Sequence, residues 1–144
     1  MDKAMQTAEK IRRFNRFYLP YFHLLTQKYL NSEYSVAEAR ILYEIYDHGE
    51  ISAKDIINAL YVDKGYLSRI LKRFEAKSII EKRASETDCR KTLITLTKSG
   101  TALAEKLITE SNIQISKELA GLSEKDMDKI IYHMNEIIHV LEGN

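Results

Sequence analysis

The chain has 144 residues, of which 44% are hydrophobic and 30% charged, a composition that is ordinary for one compact globular domain. No apolar run approaches the ~20 residues that a transmembrane helix needs, and the N-terminus lacks the apolar core of a signal peptide. The single cysteine, Cys89, excludes an intrachain disulfide framework, so we expect a protein of the reducing cytoplasm. One proline and five glycines favour a mostly helical chain.

Charge is distributed unevenly along the chain, although the net charge is only +1. Residues 1–31 carry six Lys and Arg against two Asp and Glu, and residues 54–98 carry eleven against six. Residues 32–53 and 99–144 each have an excess of four acidic side chains. Segregated positive charge is typical of a surface that binds nucleic-acid phosphates, although chance clustering on a solvated surface produces the same pattern.

Near the N-terminus, apolar residues spaced by three and four predict an amphipathic helix over about residues 8–30. Pro20 lies inside this pattern, and we expect a kink there because an interior proline removes a hydrogen bond and crowds the preceding turn. Ser35 and Glu38 have the spacing of a capping box and predict a second helix, which Gly49 ends.

Two further helices are predicted toward the C-terminus, over about residues 98–120 and from the cap Ser123 onward. The last one has a continuous apolar stripe: Met127, Ile130, Ile131, Met134, Ile137, Ile138 and Leu141. The module between the terminal helices covers only part of this apolar surface, so we predict a symmetric homodimer built from both chain ends. The alternative is that these helices fold back on their own subunit.

The centre of the chain has the pattern of a helix-turn-helix. A short helix begins after the cap Ser52, Tyr61 and Val62 form the turn, and Asp63 caps a second helix. One side of that second helix is an apolar stripe of Leu67, Ile70, Leu71 and Phe74, and the other side carries Lys64, Ser68, Arg69, Lys72 and Arg73. A basic helix face that is anchored from behind matches the major groove of DNA. The alternative is a face that only improves solubility.

Two segments rich in β-branched residues, 79–84 and 93–97, predict a hairpin with a polar tip over residues 85–92. Arg90 lies at this tip, next to Lys91. An exposed arginine on a hairpin tip suits the negative potential of a narrow minor groove, whereas the alternative is an ordinary solvated turn.

The order of these elements resembles the MarR family of bacterial winged-helix regulators over essentially the whole chain. The most specific motifs are Asp88-Cys89-Arg90-Lys91, similar to the family's D-x-R-[KR], and Leu96-Thr97-Lys98-Ser99-Gly100, similar to its L-T-x-x-G. Residues 51–56 and 71–75 also match its helix-turn-helix. Cys89 departs from the pattern because a basic or small residue is common there. Ser78 departs from it because glycine is usual there, and this indicates a modified end of the second helix.

The resemblance implies a mainly helical fold with a small β wing, in which a winged helix-turn-helix over about residues 35–97 is bracketed by dimerisation helices at 1–31 and 98–144. It implies a homodimer that binds a pseudo-palindromic DNA operator, usually as a repressor and often released by a small aromatic effector or by oxidation. Ser68, Arg69 and Lys72 would meet base edges and phosphates in the major groove, and Asp88 would orient Arg90 in the minor groove. The full set of expected DNA contacts is Ser52, Lys54, Lys64, Tyr66, Ser68, Arg69, Lys72, Arg73, Asp88, Arg90 and Lys91.

Several aromatic residues and the cysteine leave alternatives open. The residues that could line an effector pocket, or that simply pack with polar tips, are Tyr18, Tyr21, Phe22, Tyr43 and Tyr46. Tyr66 either contacts the DNA backbone or fills a gap beside Leu67. Cys89 is either a thiol sensor activated by Arg90 and Lys91 or an incidental exposed thiol.

Catalysis has no support in the sequence, and zinc sensing would require residues that folding brings together. The four histidines lack metal-ligand spacing, and no catalytic fingerprint is present, so we expect no cofactor and no enzymatic activity. The competing function is a helical dimer whose winged module binds protein instead of DNA.

Overall fold

A computed structural model describes residues 2–26 and 28–143 of the chain and shows six α-helices and a three-stranded sheet. The helices are α1 (Lys3–Tyr21), α2 (Val36–His48), α3 (Ala53–Leu60), α4 (Lys64–Ala76), α5 (Lys98–Glu118) and α6 (Glu124–Leu141). The strands are β1 (Glu50–Ser52), β2 (Ile80–Ala84) and β3 (Thr92–Leu96), and a 3₁₀ turn (Tyr29–Asn31) follows α1. These elements confirm the predicted mainly helical fold with a small β wing. The chain forms two compact units that divide between Ser111 and Asn112.

The N-terminal helix differs from its prediction at both ends. Asp2 caps α1 by accepting a 2.8 Å hydrogen bond from the Met5 amide, so the helix begins well before residue 8. It ends at Tyr21, directly after Pro20, and His23 then adopts a left-handed conformation with φ of 57°. The prediction of one helix over residues 8–30, kinked at Pro20, is therefore wrong. No residue of α1 is buried, so no core contact compensates for the hydrogen bond that Pro20 removes.

The second helix follows its prediction closely. The Ser35 hydroxyl accepts a hydrogen bond from the Glu38 amide at 3.1 Å, and the Glu38 carboxylate accepts one from the Ser35 amide at 3.2 Å. This reciprocal pair confirms the capping box. Gly49, with φ of 75°, ends α2 in a conformation that a side chain disfavours. The inward face of α2 is buried at Ile41, Leu42 and Ile45.

The sheet has the strand order β1-β3-β2, and both pairings are antiparallel. Strands β2 and β3 match the predicted hairpin to within one residue at each end. The prediction lacks β1, because a three-residue strand has no periodicity of its own. It exists through its pairing with β3, where Ile51 lies opposite Ile94 and both side chains are buried.

The two helices of the predicted helix-turn-helix form as expected. The Ser52 hydroxyl accepts a hydrogen bond from the Asp55 amide at 3.2 Å and starts α3, and the Asp63 carboxylate accepts one from the Tyr66 amide at 3.0 Å and starts α4. The predicted apolar stripe of α4 is confirmed, since its members are all buried: Leu67, Ile70, Leu71 and Phe74. Burial of each such side chain contributes about 1.5–3 kcal/mol, so the stripe fixes the orientation of α4 and leaves the opposite face to solvent.

The end of α4 is joined to the start of α5 through Ser78. This serine has φ of 59°, the left-handed conformation that glycine adopts without strain, so the helix ends in the usual way and the predicted modified helix end is wrong. The Ser78 carbonyl oxygen accepts hydrogen bonds from the Thr97 hydroxyl at 2.6 Å and the Ser99 hydroxyl at 3.1 Å. Gly100 packs so closely that a Cβ there would collide with the Ile79 carbonyl oxygen. The L-T-x-x-G motif therefore holds the start of α5 against the residues that follow α4.

The C-terminal helix leaves its apolar stripe exposed. The Ser123 hydroxyl accepts a hydrogen bond from the Asp126 amide at 3.1 Å and caps α6, as predicted. No residue of α6 is buried, and the large apolar residues that are exposed on the predicted stripe are Ile130, Ile131, Met134, Ile137, Ile138 and Leu141. None of the helices in the described part of the chain has both the length and the apolar character that a membrane crossing requires.

Candidate nucleic-acid interface

The solvent side of α4 carries the polar and basic residues that the sequence predicts. All five are exposed: Lys64, Ser68, Arg69, Lys72 and Arg73. An open groove of about 570 Å³ runs along this helix and is lined, among the described residues, by Tyr66, Arg69, Ile70, Lys72, Arg73 and Ala76. The ammonium group of Lys72 suits contact with a phosphate, and the planar guanidinium groups of Arg69 and Arg73 suit bidentate hydrogen bonding.

Tyr66 contributes both to the core and to the groove. It is half-buried and packs against the hydrophobic core, and the Arg69 guanidinium lies 6.0 Å from its ring centroid. A cation–π contact at an exposed site contributes about 0.5–1 kcal/mol and restrains the arginine side chain. The packing alternative for Tyr66 therefore has direct support, while its position in the groove wall keeps the DNA contact open.

Two ion pairs join the C-terminal part of α4 and its C-cap Lys77 to the segment around the start of α2. Arg73 Nη2 donates a hydrogen bond to Glu38 Oε2 at 3.2 Å. Lys77 Nζ lies 3.7 Å from Glu33 Oε2 and 5.4 Å from the ring centroid of Tyr34. Neither pair is visible in the sequence, because the partners are far apart along the chain and only the tertiary fold, in which Phe74 on α4 lies beside Tyr34, brings them together.

The wing, which is the hairpin of β2 and β3, ends in a compact turn. The Ser85 amide donates to the Lys91 carbonyl at 2.8 Å, and the Lys91 amide donates to the Asp88 carbonyl at 2.9 Å. Asp88 Oδ1 accepts a hydrogen bond from the Arg90 amide at 3.1 Å and lies 3.5 Å from Arg90 Nε. The Arg90 side chain is 91% exposed, and Cys89 beside it is exposed too. Asp88 thus lies where an orienting role for Arg90 would require it.

The base of the wing contains an ion pair that is absent from the sequence prediction. Arg83 on β2 donates hydrogen bonds to Glu50 on β1. Alternation of side chains along strands places Glu50 and Arg83 on the same outer face of the sheet, so the pair could have been predicted if β1 had been recognised as a strand.

One predicted DNA contact needs correction. Ser52 is only 3% exposed, and its hydroxyl is occupied as the N-cap of α3, so its role is structural. Lys54 in the first turn of α3 is exposed, as are Asp88 and Lys91 in the wing. Among the residues that the structure describes, no group of three or more His, Cys, Asp or Glu side chains is placed to hold a metal ion.

The aromatic residues predicted to line an effector pocket fall into two groups: Tyr18, Tyr21 and Phe22 around the end of α1, and Tyr43 and Tyr46 on α2. Within the first group, the ring centroid of Phe22 lies 5.0 Å from that of Tyr18 and 4.9 Å from that of Tyr21. The Tyr46 hydroxyl donates to Glu105 Oε1 on α5 at 3.4 Å. The charge of the Glu105 carboxylate raises the pKa of Tyr46 above its usual value.

Comparisons with known proteins agree with this architecture. Residues 35–92 match the sequence model of the MarR family. The chain is 33% identical over 97 residues to the organic hydroperoxide resistance transcriptional regulator of Bacillus subtilis. The alignment covers 66% of this chain and 65% of that protein, so the chain spans slightly less than two thirds of this relative.

Two solved structures share the fold. A mutant of MarR from E. coli, complexed with operator DNA, has a TM-score of 0.72 at 22% identity and covers 95% of this chain and 99% of its own. BpsR of Bordetella bronchiseptica, whose DNA binding is regulated by 6-hydroxynicotinic acid, has a TM-score of 0.70 at 23% identity and covers 92% and 98%. At these identities the likeness concerns the fold.

Proposed function

We propose that the chain is a DNA-binding transcriptional regulator of the MarR family that acts as a homodimer on a pseudo-palindromic operator and represses transcription. In this proposal α4 is the recognition helix and enters the major groove, while the wing reaches the adjacent minor groove. Helices at both ends of the chain hold the two protomers together, over about residues 1–31 and 98–144.

The observation that carries this proposal is the division of α4 into a buried apolar side and an exposed basic side. The buried side anchors the helix, so its exposed residues are presented on a rigid element. Arg69 and Lys72 lie in the groove wall on the exposed side. Arginine can donate two hydrogen bonds to guanine O6 and N7, and lysine can contact phosphates. We assign base reading to Arg69 and positioning to Lys72, with Ser68 as a further polar contact.

The wing supports the same function at a second point. Arg90 projects from a turn that is closed by hydrogen bonds, so its guanidinium extends from a defined base into solvent. A narrow minor groove concentrates negative potential and attracts such an arginine without requiring base-specific hydrogen bonds. Lys91, Lys54 and Lys64 add positive charge that favours binding to any duplex.

Exposed apolar side chains at both ends of the chain support the homodimer. On α1 the exposed residues include Ile11, Phe14 and Phe17, and on α6 they include Ile131 and Ile138. Helices with wide apolar stripes are stable in water only when another surface covers them. A second copy of the chain supplies identical stripes and creates a two-fold pair of recognition helices, which matches a pseudo-palindromic site.

A small aromatic effector that releases the DNA is a further part of the proposal. It rests on the partly exposed phenols of Tyr18, Tyr43 and Tyr46 and on the regulation of BpsR by 6-hydroxynicotinic acid. Phenol hydroxyls beside apolar rings can orient an aromatic acid. Titration of the protein–DNA complex with aromatic carboxylates tests this point: release of DNA supports the effector site, and unchanged binding across the series argues against it.

The direct test of DNA binding uses fluorescence anisotropy with a labelled random duplex. Affinity must fall steeply when salt rises from about 50 to 200 mM, because each neutralised phosphate releases counterions. Selection from a random library then yields the preferred duplex of ~24 base pairs, which should contain two half-sites about one helical turn apart. A protein that binds neither duplex at the lower salt concentration would contradict the proposal and favour the protein-binding alternative.

A further inference from the structure

The carboxylate of Glu38 accepts hydrogen bonds from two elements, the N-terminal cap of α2 and Arg73 on α4. One oxygen, Oε1, accepts a hydrogen bond from the Ser35 amide at 3.2 Å and completes the capping box of α2. The other oxygen, Oε2, accepts one from Arg73 Nη2 on α4, also at 3.2 Å. The Glu38 side chain is only 14% exposed, so the cap holds it as a rigid acceptor with little access to water.

Arg73 is very different in its surroundings. Its side chain is 60% exposed and lies in the wall of the α4 groove together with Arg69 and Lys72. A long arginine on such a surface samples many rotamers, and ordering it when DNA binds costs conformational entropy. The contact to Glu38 restrains the guanidinium beforehand. It uses Nη2, while the remaining N–H groups of the planar guanidinium stay available for a phosphate or a base edge.

We propose that Glu38 is a positioning residue for DNA recognition, which orients Arg73 at the edge of the recognition surface and so contributes to sequence discrimination. This inference rests on the proposed DNA-binding function. It predicts a change in discrimination, which simple electrostatics does not. A carboxylate near the DNA repels phosphates, so its removal alone should strengthen binding to every duplex. Removal of a positioning residue should instead weaken discrimination.

The test compares Glu38→Gln with the wild-type protein on two duplexes: the one selected from the random library, and a scrambled duplex of the same composition. Glutamine at this position preserves the capping box, so the substitution removes the charge that holds Arg73 without removing the cap. We expect the ratio of affinities for the selected and scrambled duplexes to fall about three- to tenfold. Binding to the scrambled duplex should stay equal or become tighter.

Two matched controls separate positioning from charge and from stability. Glu33→Gln removes the same charge from the same segment, but the partner Lys77 is 3.7 Å away and both side chains are more than half exposed, so the affinity ratio should not change. Ser35→Ala removes the capping hydroxyl without touching the Glu38–Arg73 contact. It should lower the melting temperature and leave the ratio at the wild-type value.

A double-mutant cycle tests whether Glu38 acts through Arg73. In an Arg73→Ala background, Glu38→Gln should have no further effect on the affinity ratio. The inference is overturned if Glu38→Gln leaves the ratio at the wild-type value, or if it lowers the ratio equally with and without Arg73. If the wild-type protein itself fails to bind any duplex, the proposed function fails and takes this inference with it. Normal wild-type binding with an unchanged Glu38→Gln ratio overturns the inference alone.

Discussion

The side chain of Arg83 donates two hydrogen bonds to a single carboxylate oxygen of Glu50, through Nη2 at 2.6 Å and Nε at 3.0 Å. In register, Glu50 lies opposite Thr95 and Arg83 lies opposite Leu93, so both side chains stand on the outer face of the sheet. They belong to the two outer strands and meet across the central strand β3. The contact links the wing to β1, in which Ile51, the residue after Glu50, is buried in the core.

Glu50→Gln should lower the free energy of unfolding by about 0.5–1 kcal/mol, because a partly exposed ion pair is screened by solvent even with this two-donor geometry. The loss should shrink at high salt. Urea denaturation followed by circular dichroism at two ionic strengths measures it. Glu81→Gln is the matched control, since Glu81 lies on β2 and forms no ion pair among the described residues. Equal losses in the two variants would contradict a specific role for the Arg83 contact.

Ser78→Gly should raise the free energy of unfolding by about 0.5–1 kcal/mol. Serine in the left-handed region is strained, and relief of that strain exceeds the entropy that glycine adds to the unfolded chain. Denaturation midpoints measure the change. Ser78→Ala serves as the control because alanine keeps the strain and should give no gain. If glycine and alanine behave alike at this position, the φ of Ser78 does not limit stability.

Arg69→Ala and Lys72→Ala should have different effects on binding. Replacing a residue that reads a base should weaken binding to the selected duplex by about 1–3 kcal/mol and reduce discrimination. Replacing a residue that contacts a phosphate should weaken binding to both duplexes alike and lower the salt dependence of binding by about one unit of slope. We expect the first behaviour for Arg69 and the second for Lys72. Anisotropy titrations at several salt concentrations distinguish them, and an unchanged ratio for both variants would remove α4 from recognition.

Arg90→Ala should weaken binding to the selected duplex by about 1–3 kcal/mol while the melting temperature stays unchanged, since the side chain is almost fully exposed. Arg90→Lys keeps the charge but loses the planar guanidinium, so it should lie between the wild-type protein and the alanine variant. Wild-type affinity for Arg90→Ala at matched salt would show that the wing does not contact DNA.

Ile131→Asp should dissociate the proposed homodimer. In one protomer this side chain is 52% exposed, so a carboxylate there is tolerated by the monomer, but burial against a second copy would cost several kcal/mol. Sedimentation should show a monomer with greatly weakened operator binding. Lys129→Asp introduces the same side chain off the stripe of α6 and should leave the dimer intact. A folded Ile131→Asp dimer would show that this part of α6 is not the interface.

The local features of the fold could be predicted from the sequence because their causes are local. A serine or aspartate accepts an amide hydrogen bond three residues later, and Ser35, Asp63 and Ser123 all cap helices as predicted. Helical spacing likewise identified the buried side of α4, from Leu67 to Phe74, and hence its exposed basic face. These features depend on neighbours within one or two turns, so they do not require knowledge of the rest of the chain.

Other features depended on contacts between distant segments, and the tertiary structure alone decided them. Strand β1 exists because β3 pairs with it, and the end of α1 at Tyr21 reflects the absence of core contacts that would carry the helix beyond Pro20. The burial of Ser52 removed an expected DNA contact. The partners of Arg73 and Arg83 are likewise set by packing, because a side chain pairs with whatever charge the fold brings within reach, and sequence distance carries no information about that encounter.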